Sequence, residues 1–580
     1  MKRYWKYIRP YIQYYILGPC FMMMEVVGDV LLPYMLAKII NQGIAEKNVA
    51  YIIKIGAIMG LISVIMAVVG VLGAWFASKA AMNFGADLRM DLFEKIQQFS
   101  FQNIDNFSTG SLITRLTNDI TQIQNMIMMT LRMCLRSPGI LIGAMVMAFV
   151  ISPKLAAIFI IVLPVLAVLI VVIMRRAFPQ FRTLQEKLDA LNSCIQEGLV
   201  GIRLIKSFVR GDYEEMRFEK RNQQLKEANL TAMKTMLLYT PLMTLALNIT
   251  TVVVVWSGGN MIVAGNMQVG DLTAFTNFIV EIMSSLTMLS IAFLNWARAI
   301  ASFRRVGEVL DEKIDLTDEN AKHKDRAVCE GSVEFQNVSF RYYKNSPGWV
   351  IENISFKLEA GKTLGIIGPT GSGKSTLVSM IPRLYDTDDG AVLVDGINVR
   401  DYGLKPLRDG IGMVLQNNTL FSGSITENLK WGDEDADENA VRTAAQNAQA
   451  AGFIDSFKDG YRTRLEQSGN NVSGGQKQRL CIARALLKCP KILILDDSTS
   501  AVDTKTDALI RKAFREYIPD TTKIIIAQRV SSVQDADKIV ILNGGKIDAI
   551  GTHEELLASN EIYREVYTSQ NKGGADDEEV

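Results

Sequence analysis

The 580-residue chain is 49% hydrophobic and 21% charged, too apolar for a disordered polypeptide and more apolar than soluble globular averages. Lys+Arg 62 against Asp+Glu 61 leaves a formal net charge of +1, so no global basic field exists to hold nucleic acid. Six cysteines (Cys20, Cys134, Cys194, Cys329, Cys481, Cys489) stand without CxxC spacing, which supports neither a disulfide framework nor a zinc site and fits a reduced, cytosol-facing chain.

At the N-terminus, Lys2, Arg3, Lys6 and Arg9 interleave with Tyr4, Trp5, Tyr7, Ile8 and Tyr11. That alternation predicts an amphipathic helix over 1–12, lying on the inner membrane surface. No small-residue cleavage site of a signal peptide follows. Six apolar stretches then approach the about 20 residues needed to cross a ~30 Å hydrocarbon core: Tyr15 to Ile40, Ile52 to Ser78, Pro138 to Ile151, Leu155 to Met174, Leu237 to Trp256 and Leu272 to Leu294. Only Ser152, Pro153 and Lys154 separate the third from the fourth, which predicts a tight helical hairpin. Arg175, Arg176, Arg298, Arg304 and Arg305 flank the inner ends of the later spans, whereas the loops Asn41 to Ala50 and Gly258 to Gly270 contain only Lys47. Short cytoplasmic loops hold the excess of Lys and Arg, so both termini are expected on the cytoplasmic side of a cell membrane.

Two connections, about Lys79 to Arg136 and Arg175 to Thr240, are too long and polar for turns. In the second, Leu191, Ile195, Leu199, Ile202, Ile205 and Phe208 recur at three- and four-residue steps, the pattern of one apolar helical face. Both connections are expected to project into the cytosol as helices. They reverse near Phe101 to Gly110 and Ser207 to Asp212, where Phe101, Phe107 and Phe208 read as docking knobs or, alternatively, as packing within their own hairpins. Beyond Arg305 a charged linker leads into short β-rich runs alternating with helical ones, the pattern of an α/β domain. The expected organisation is an interfacial helix 1–12, an all-α six-span membrane domain 13–305, a linker 306–330, an α/β domain 331–570 and a disordered acidic tail 571–580.

The α/β half carries the chemistry. A strand-like run ending Gly-Ile-Ile precedes Gly368-Pro369-Thr370-Gly371-Ser372-Gly373-Lys374-Ser375-Thr376, a GxxxxGK[ST] phosphate loop. Glycines let backbone N–H groups wrap phosphates, Lys374 neutralises β and γ oxygens, and the Ser375 hydroxyl is placed to ligate Mg²⁺. A following helix N-terminus adds positive potential. Further on, Lys491-Ile-Leu-Ile-Leu-Asp496 puts a carboxylate at a strand's C-terminal edge, positioned for the same metal.

Between these motifs lies Val472-Ser473-Gly474-Gly475-Gln476, and there the chain resembles the ATP-binding cassette (ABC) proteins. Six spans with two cytoplasmic extensions and one cassette are similar, along nearly the whole chain, to an ABC exporter half-transporter. The resemblance implies ATP and Mg²⁺ as ligands and a membrane-embedded dimer with a second half-transporter. It places the adenine-stacking aromatic at Tyr342, with Tyr343 as the neighbouring alternative, the Q-loop amide at Gln416, and an inter-site D-loop at Ser500 to Asp503. Ser473, Gly474, Gly475 and Gln476 are implied to cap the γ-phosphate of the partner's nucleotide. The family pattern has Glu after the Walker B acid and a switch histidine; this chain has Asp497 and Gln528, and its two histidines, His323 and His553, lie elsewhere. A carboxylate one methylene short retreats from the ~2.6–3.2 Å reach of a base, and an amide cannot carry a proton. With the signature segment undamaged, the resemblance implies the degenerate-site subunit of a heterodimeric exporter; the alternatives are a homodimer with two slow sites or a non-hydrolysing, ATP-gated membrane protein.

Glu25 and Asp29 fall inside the first span and Glu281 inside the sixth. Ionisable groups there are costly and face a cavity or one another, so they are candidates either for contacting a cationic, drug-like or lipidic substrate or for an interhelical polar clamp.

Overall fold

A computed structural model describes residues 2–344, 346–498 and 501–575; the side chains of residues 2, 290, 291, 293–295, 297, 298 and 571–575, Arg298 among them, lie outside the description. The chain divides into two units, Met1–Gln97 with Thr109–Asp311 and Gln98–Ser108 with Glu312–Val580.

The first unit is helical and contains six helices long and apolar enough to cross a membrane. Helix Val49–Gln97 runs 49 residues without interruption, about 70 Å at ~1.5 Å per residue, so it is more than twice the length that hydrocarbon can cover. The expected span and its cytoplasmic extension are thus one continuous helix. The same holds for Pro153–Val200, of 48 residues. The predicted hairpin between the third and fourth spans is present. Ser152 is extended (φ −153°, ψ 102°), ends helix Arg136–Ile151, and accepts from the Leu155 N–H at 3.4 Å, while Pro153 fills the first turn where no N–H is needed. Small residues Ala144, Ala148, Ala156 and Ala274 let these helices approach closely round the stacked rings of Phe159 and Phe275. Many apolar side chains nevertheless point outward, such as Val71, Ile161 and Trp256. In water that surface would be an aggregation liability; against lipid it is the expected exterior.

One boundary differs from the sequence reading. Helix Val269–Asp311 passes the expected domain end at 305 because Val306 and Val309, three residues apart, are buried. The N-terminal segment is helical, in the contiguous stretches Lys2–Tyr4, Trp5–Ile8 and Arg9–Tyr11, and two of its cations pair with protein. Lys6 pairs with Asp91, Arg3 with Asp311, and the Tyr7 hydroxyl donates to Asp91 at 2.9 Å. Trp5 remains exposed.

The second unit is α/β. Strands Ile351–Leu358, Val333–Phe340, Asp389–Val394 and Ile397–Asn398 pair antiparallel in that order. A second sheet orders Lys546–Gly551, Lys538–Asn543, Thr363–Ile367, Thr522–Ile526, Ile492–Asp496 and Ile411–Val414, parallel except at its first edge pair. Ile492–Asp496 is buried along its length, as a central parallel strand covered on both faces must be. The segment Gln98–Ser108 belongs to this unit. Ser100 and Asn103 form a capping box there, Phe101 packs edge-on to Tyr385 at 5.9 Å between centroids, and the Tyr385 hydroxyl donates to Asp105 at 2.9 Å. Phe107 stacks on Phe99, so that expected knob packs within its own segment. Phe208, in the first unit, is 69% exposed. At the C-terminus, helix Glu561–Ala575 enters the stretch expected as a disordered tail; 576–580 lie outside the described residues.

Candidate nucleotide site

The phosphate loop leaves the central strand Thr363–Ile367 and enters helix Lys374–Ser379. Gly371 and Gly373 have φ of +83° and +92°, the left-handed region that glycine enters without strain. A Cβ on Gly368 would sit 2.1 Å from the Leu542 carbonyl oxygen, so the turn closes only without a side chain. Lys374 Nζ donates to the Gly368 and Pro369 carbonyls at 2.8 Å each. Burial lowers its pKa, with Asp496 and Asp497 opposing. Ser375 Oγ donates to Asp496 Oδ1 at 2.9 Å, and burial raises that carboxyl's pKa against the Ser375 bond.

These groups line one cleft of about 690 Å³ with Tyr342, Gly368, Pro369, Thr370, Thr376, Gln416, Asp497 and Gln528. Tyr342 is fixed by a 2.8 Å hydrogen bond between its hydroxyl and Thr376 Oγ1 and by edge-on packing against Phe340 and Tyr385. Tyr343, the neighbouring alternative, is 70% exposed and is not among the residues lining the cleft.

The two departures from the family pattern touch. Gln528 Nε2 donates to Asp497 Oδ2 at 2.7 Å, and Asp497 itself sits at φ +47°. Burial raises the Asp497 pKa, and the Gln528 hydrogen bond works against that rise.

A nucleotide fits this donor set. Lys374 Nζ, the Ser375 and Thr376 hydroxyls and the backbone of Gly371 and Gly373, held in the left-handed region, all line the cleft, the cradle that phosphate oxygens occupy, whereas the buried Ser372 Oγ does not line it. Among the described residues no group of three or more His, Cys, Asp or Glu side chains is arranged to hold a metal ion. A metal here would therefore rest on one carboxylate, a hydroxyl, an amide and phosphate oxygens, which is how Mg²⁺ is usually held.

Ser473, Gly474, Gly475 and Gln476 are not in the cleft. They start helix Gly474–Leu487, where Ser473 Oγ accepts from the Gln476 N–H at 3.3 Å and Gln476 Oε1 accepts from the Ser473 N–H at 2.9 Å. Of the D-loop residues, Ser500 lies outside the described residues, and Asp503 caps helix Thr504–Tyr517 by accepting from the Thr506 N–H. In the membrane unit, Arg136 Nη2 bridges Glu25 at 3.2 Å and Asp29 at 3.0 Å. Glu281 lies within electrostatic reach of both Asp29 and Arg136. The first two carboxylates thus form an interhelical clamp, and sequence reasoning missed its cation by counting Arg136 as a loop residue. It also missed Val350, Ile562 and Val566, which line the cleft. The last two are four residues apart, a helical-face signal that was present in the sequence.

The family model for the ABC transporter transmembrane region matches residues 15–286, and the ABC transporter model matches 351–500. YfiB of Bacillus subtilis, an uncharacterized ABC transporter ATP-binding protein, is 38% identical over 570 residues, covering 98% of each chain. The chain belongs to the ABC transporter family. This ABC transporter chain is also 34% identical, over 98% of its length and 99% of the relative's, to YgaD of Bacillus subtilis, provisionally named a multidrug export ATP-binding/permease protein. The solved structure of a bacterial Atm1-family ABC exporter with ATP bound shares its fold, with a TM-score of 0.80 at 23% identity over 97% of this chain and 98% of that one.

Proposed function

We propose that the chain is the degenerate-site subunit of a heterodimeric, ATP-driven exporter in the cytoplasmic membrane, with both termini in the cytosol, moving amphipathic drug-like or lipidic molecules. The observation that carries this reading is the Asp497–Gln528 hydrogen bond. A carboxylate already one methylene short is turned toward an amide donor, so it is a poor base for the lytic water. ATP would lie on the phosphate loop with its base against Tyr342, and Mg²⁺ would be held by Ser375, Asp496 and Gln416, where it would offset phosphate charge. Gln528 donates toward the γ-phosphate and carries no proton. At the exposed start of helix Gly474–Leu487 the Ser473 and Gln476 N–H groups are taken by the capping box, which leaves those of Gly474 and Gly475 to close on the nucleotide of the second half-transporter, where turnover takes place. The multidrug-export name of YgaD supports the substrate class. The same Asp497–Gln528 bond would serve a non-hydrolysing, ATP-gated protein.

The test is ATPase activity of the chain purified alone and co-expressed with a candidate half-transporter, each with and without Ser473→Ala. Turnover confined to the mixed complex and lost with Ser473→Ala supports the heterodimer. Robust turnover by the chain alone, abolished by Asp497→Ala, means a homodimer with two working sites and overturns it. Transport against a gradient excludes the gating reading.

A further inference from the structure

The last helix, Glu561–Ala575, reaches the nucleotide cleft with one face. Ile562 and Val566 line the cleft, and Gln570, one turn further on the same face, ends in two hydrogen bonds. Its Oε1 accepts from the Val530 N–H at 2.9 Å and its Nε2 donates to the Gln528 carbonyl at 2.9 Å. One side-chain amide therefore holds the backbone on both sides of Arg529. Those groups need it. Strand Thr522–Ile526 ends before them, so no sheet neighbour pairs them, and Val530 opens a 3-10 turn whose first N–H has no internal acceptor. The near end of the helix is anchored too, because buried Tyr563 bonds His553 Nδ1 at 2.7 Å and Asn560 accepts from the Tyr563 N–H at 2.9 Å.

We propose that Gln570 is a positioning residue that sets Gln528 for the γ-phosphate, making the C-terminal helix part of how this chain tells ATP from ADP. This rests on the reading that Gln528 faces the γ-phosphate. The Gln528 side chain is already directed at Asp497, 2.7 Å away. Freeing its backbone costs that aim without touching the phosphate loop, which binds ATP and ADP alike.

The experiment uses the full-length protein in nanodiscs, with fluorescent TNP-ATP displaced by Mg²⁺-AMP-PNP or Mg²⁺-ADP, so that hydrolysis plays no part. Gln528→Ala is expected to weaken AMP-PNP about tenfold, the scale of one hydrogen bond to a charged group, and to leave ADP within about twofold. Gln570→Ala is expected to weaken AMP-PNP about three- to tenfold, again sparing ADP. The double variant should be no worse than Gln528→Ala, because the two act through one contact. Gln570→Glu keeps the acceptor and the volume but lacks the donor, so it serves if the alanine variant misfolds and should behave like it. The proposal is overturned if AMP-PNP and ADP weaken together, if neither changes, if Gln528→Ala leaves the ratio unaltered, or if the double variant is additive. Robust ATPase by the chain alone would instead defeat the degenerate-site reading and leave this ratio readable.

Discussion

If the proposed degenerate-site reading holds, reviving hydrolysis at this chain's own phosphate loop requires two repairs, and their sizes can be worked separately. The Asp497 carboxylate accepts the Gln528 amide at 2.7 Å, and a hydrogen bond to an ionised partner is worth about 1.5–3 kcal/mol. A base held in that bond loses about 10- to 100-fold in availability, at ~1.4 kcal/mol per decade. The missing methylene forfeits a further part of the about 10²–10⁴ that a well-placed base supplies. Asp497→Glu alone restores reach but leaves the amide donor in place, so a gain of about tenfold is expected. Asp497→Glu with Gln528→His removes both obstacles and should gain about 10²–10³. The assay is single-turnover phosphate release in the full dimer with the other site disabled. Equal rates in the wild type and the double variant would refute the reasoning, as would complete recovery from Asp497→Glu alone.

Other consequences can be measured directly. Tyr342→Ala should weaken ATP by about the 1–3 kcal/mol of one base–aromatic stack, while Tyr343→Ala stays within about twofold; nucleotide displacement distinguishes them, and equal losses would reopen the assignment. Ser473→Ala removes half of a capping box, costing about 1 kcal/mol of helix stability, yet should leave ATP affinity at the chain's own cleft unchanged while abolishing turnover of the mixed complex. Arg136→Ala leaves Glu25 and Asp29 without their shared cation and should lower the melting temperature of the solubilised protein by several degrees, with Arg136→Lys recovering part of it; an unchanged melt would mean that the clamp contributes nothing. Asp537 accepts from the Thr363 N–H and from Lys362 at 2.8 and 3.0 Å. Burial alone would raise its pKa, but these donors outweigh it and the folded-state value is lowered. The stability it adds is therefore complete above the unfolded carboxyl pKa of ~3.9 and is lost as pH falls through the lower folded value. Asp537→Asn should lower stability most at neutral pH and least below about pH 4, which flattens the acid limb of the melting curve.

Much of this architecture was legible in the chain because its signals are local. Hydrocarbon-length runs, Ser152-Pro153 and the glycine spacing from Gly368 to Gly373 act through neighbouring backbone, and the structure places all three as read. What was not legible depends on contacts across many residues. Arg136 reads as a loop cation until Glu25 and Asp29, more than a hundred positions away, are brought beside it. Nor does the sequence show that Lys6 and Arg3 pair with Asp91 and Asp311, 85 and 308 positions away. The Gln528–Asp497 bond joins residues 31 apart, and its two halves could be recognised only as separate departures from a pattern.

The two longest helices differ in one respect with mechanical consequences. Val49–Gln97 has no proline, whereas Pro153–Val200 contains Pro164 and Pro179, each of which removes a backbone hydrogen bond and softens the rod where it sits. A rigid rod about 70 Å long that tilts by ~10° at one end sweeps its far end through about 12 Å. The first helix therefore acts as a stiff lever that delivers a rotation undiminished over its whole length, while the second can take up part of the same rotation by bending at two points about 22 Å apart.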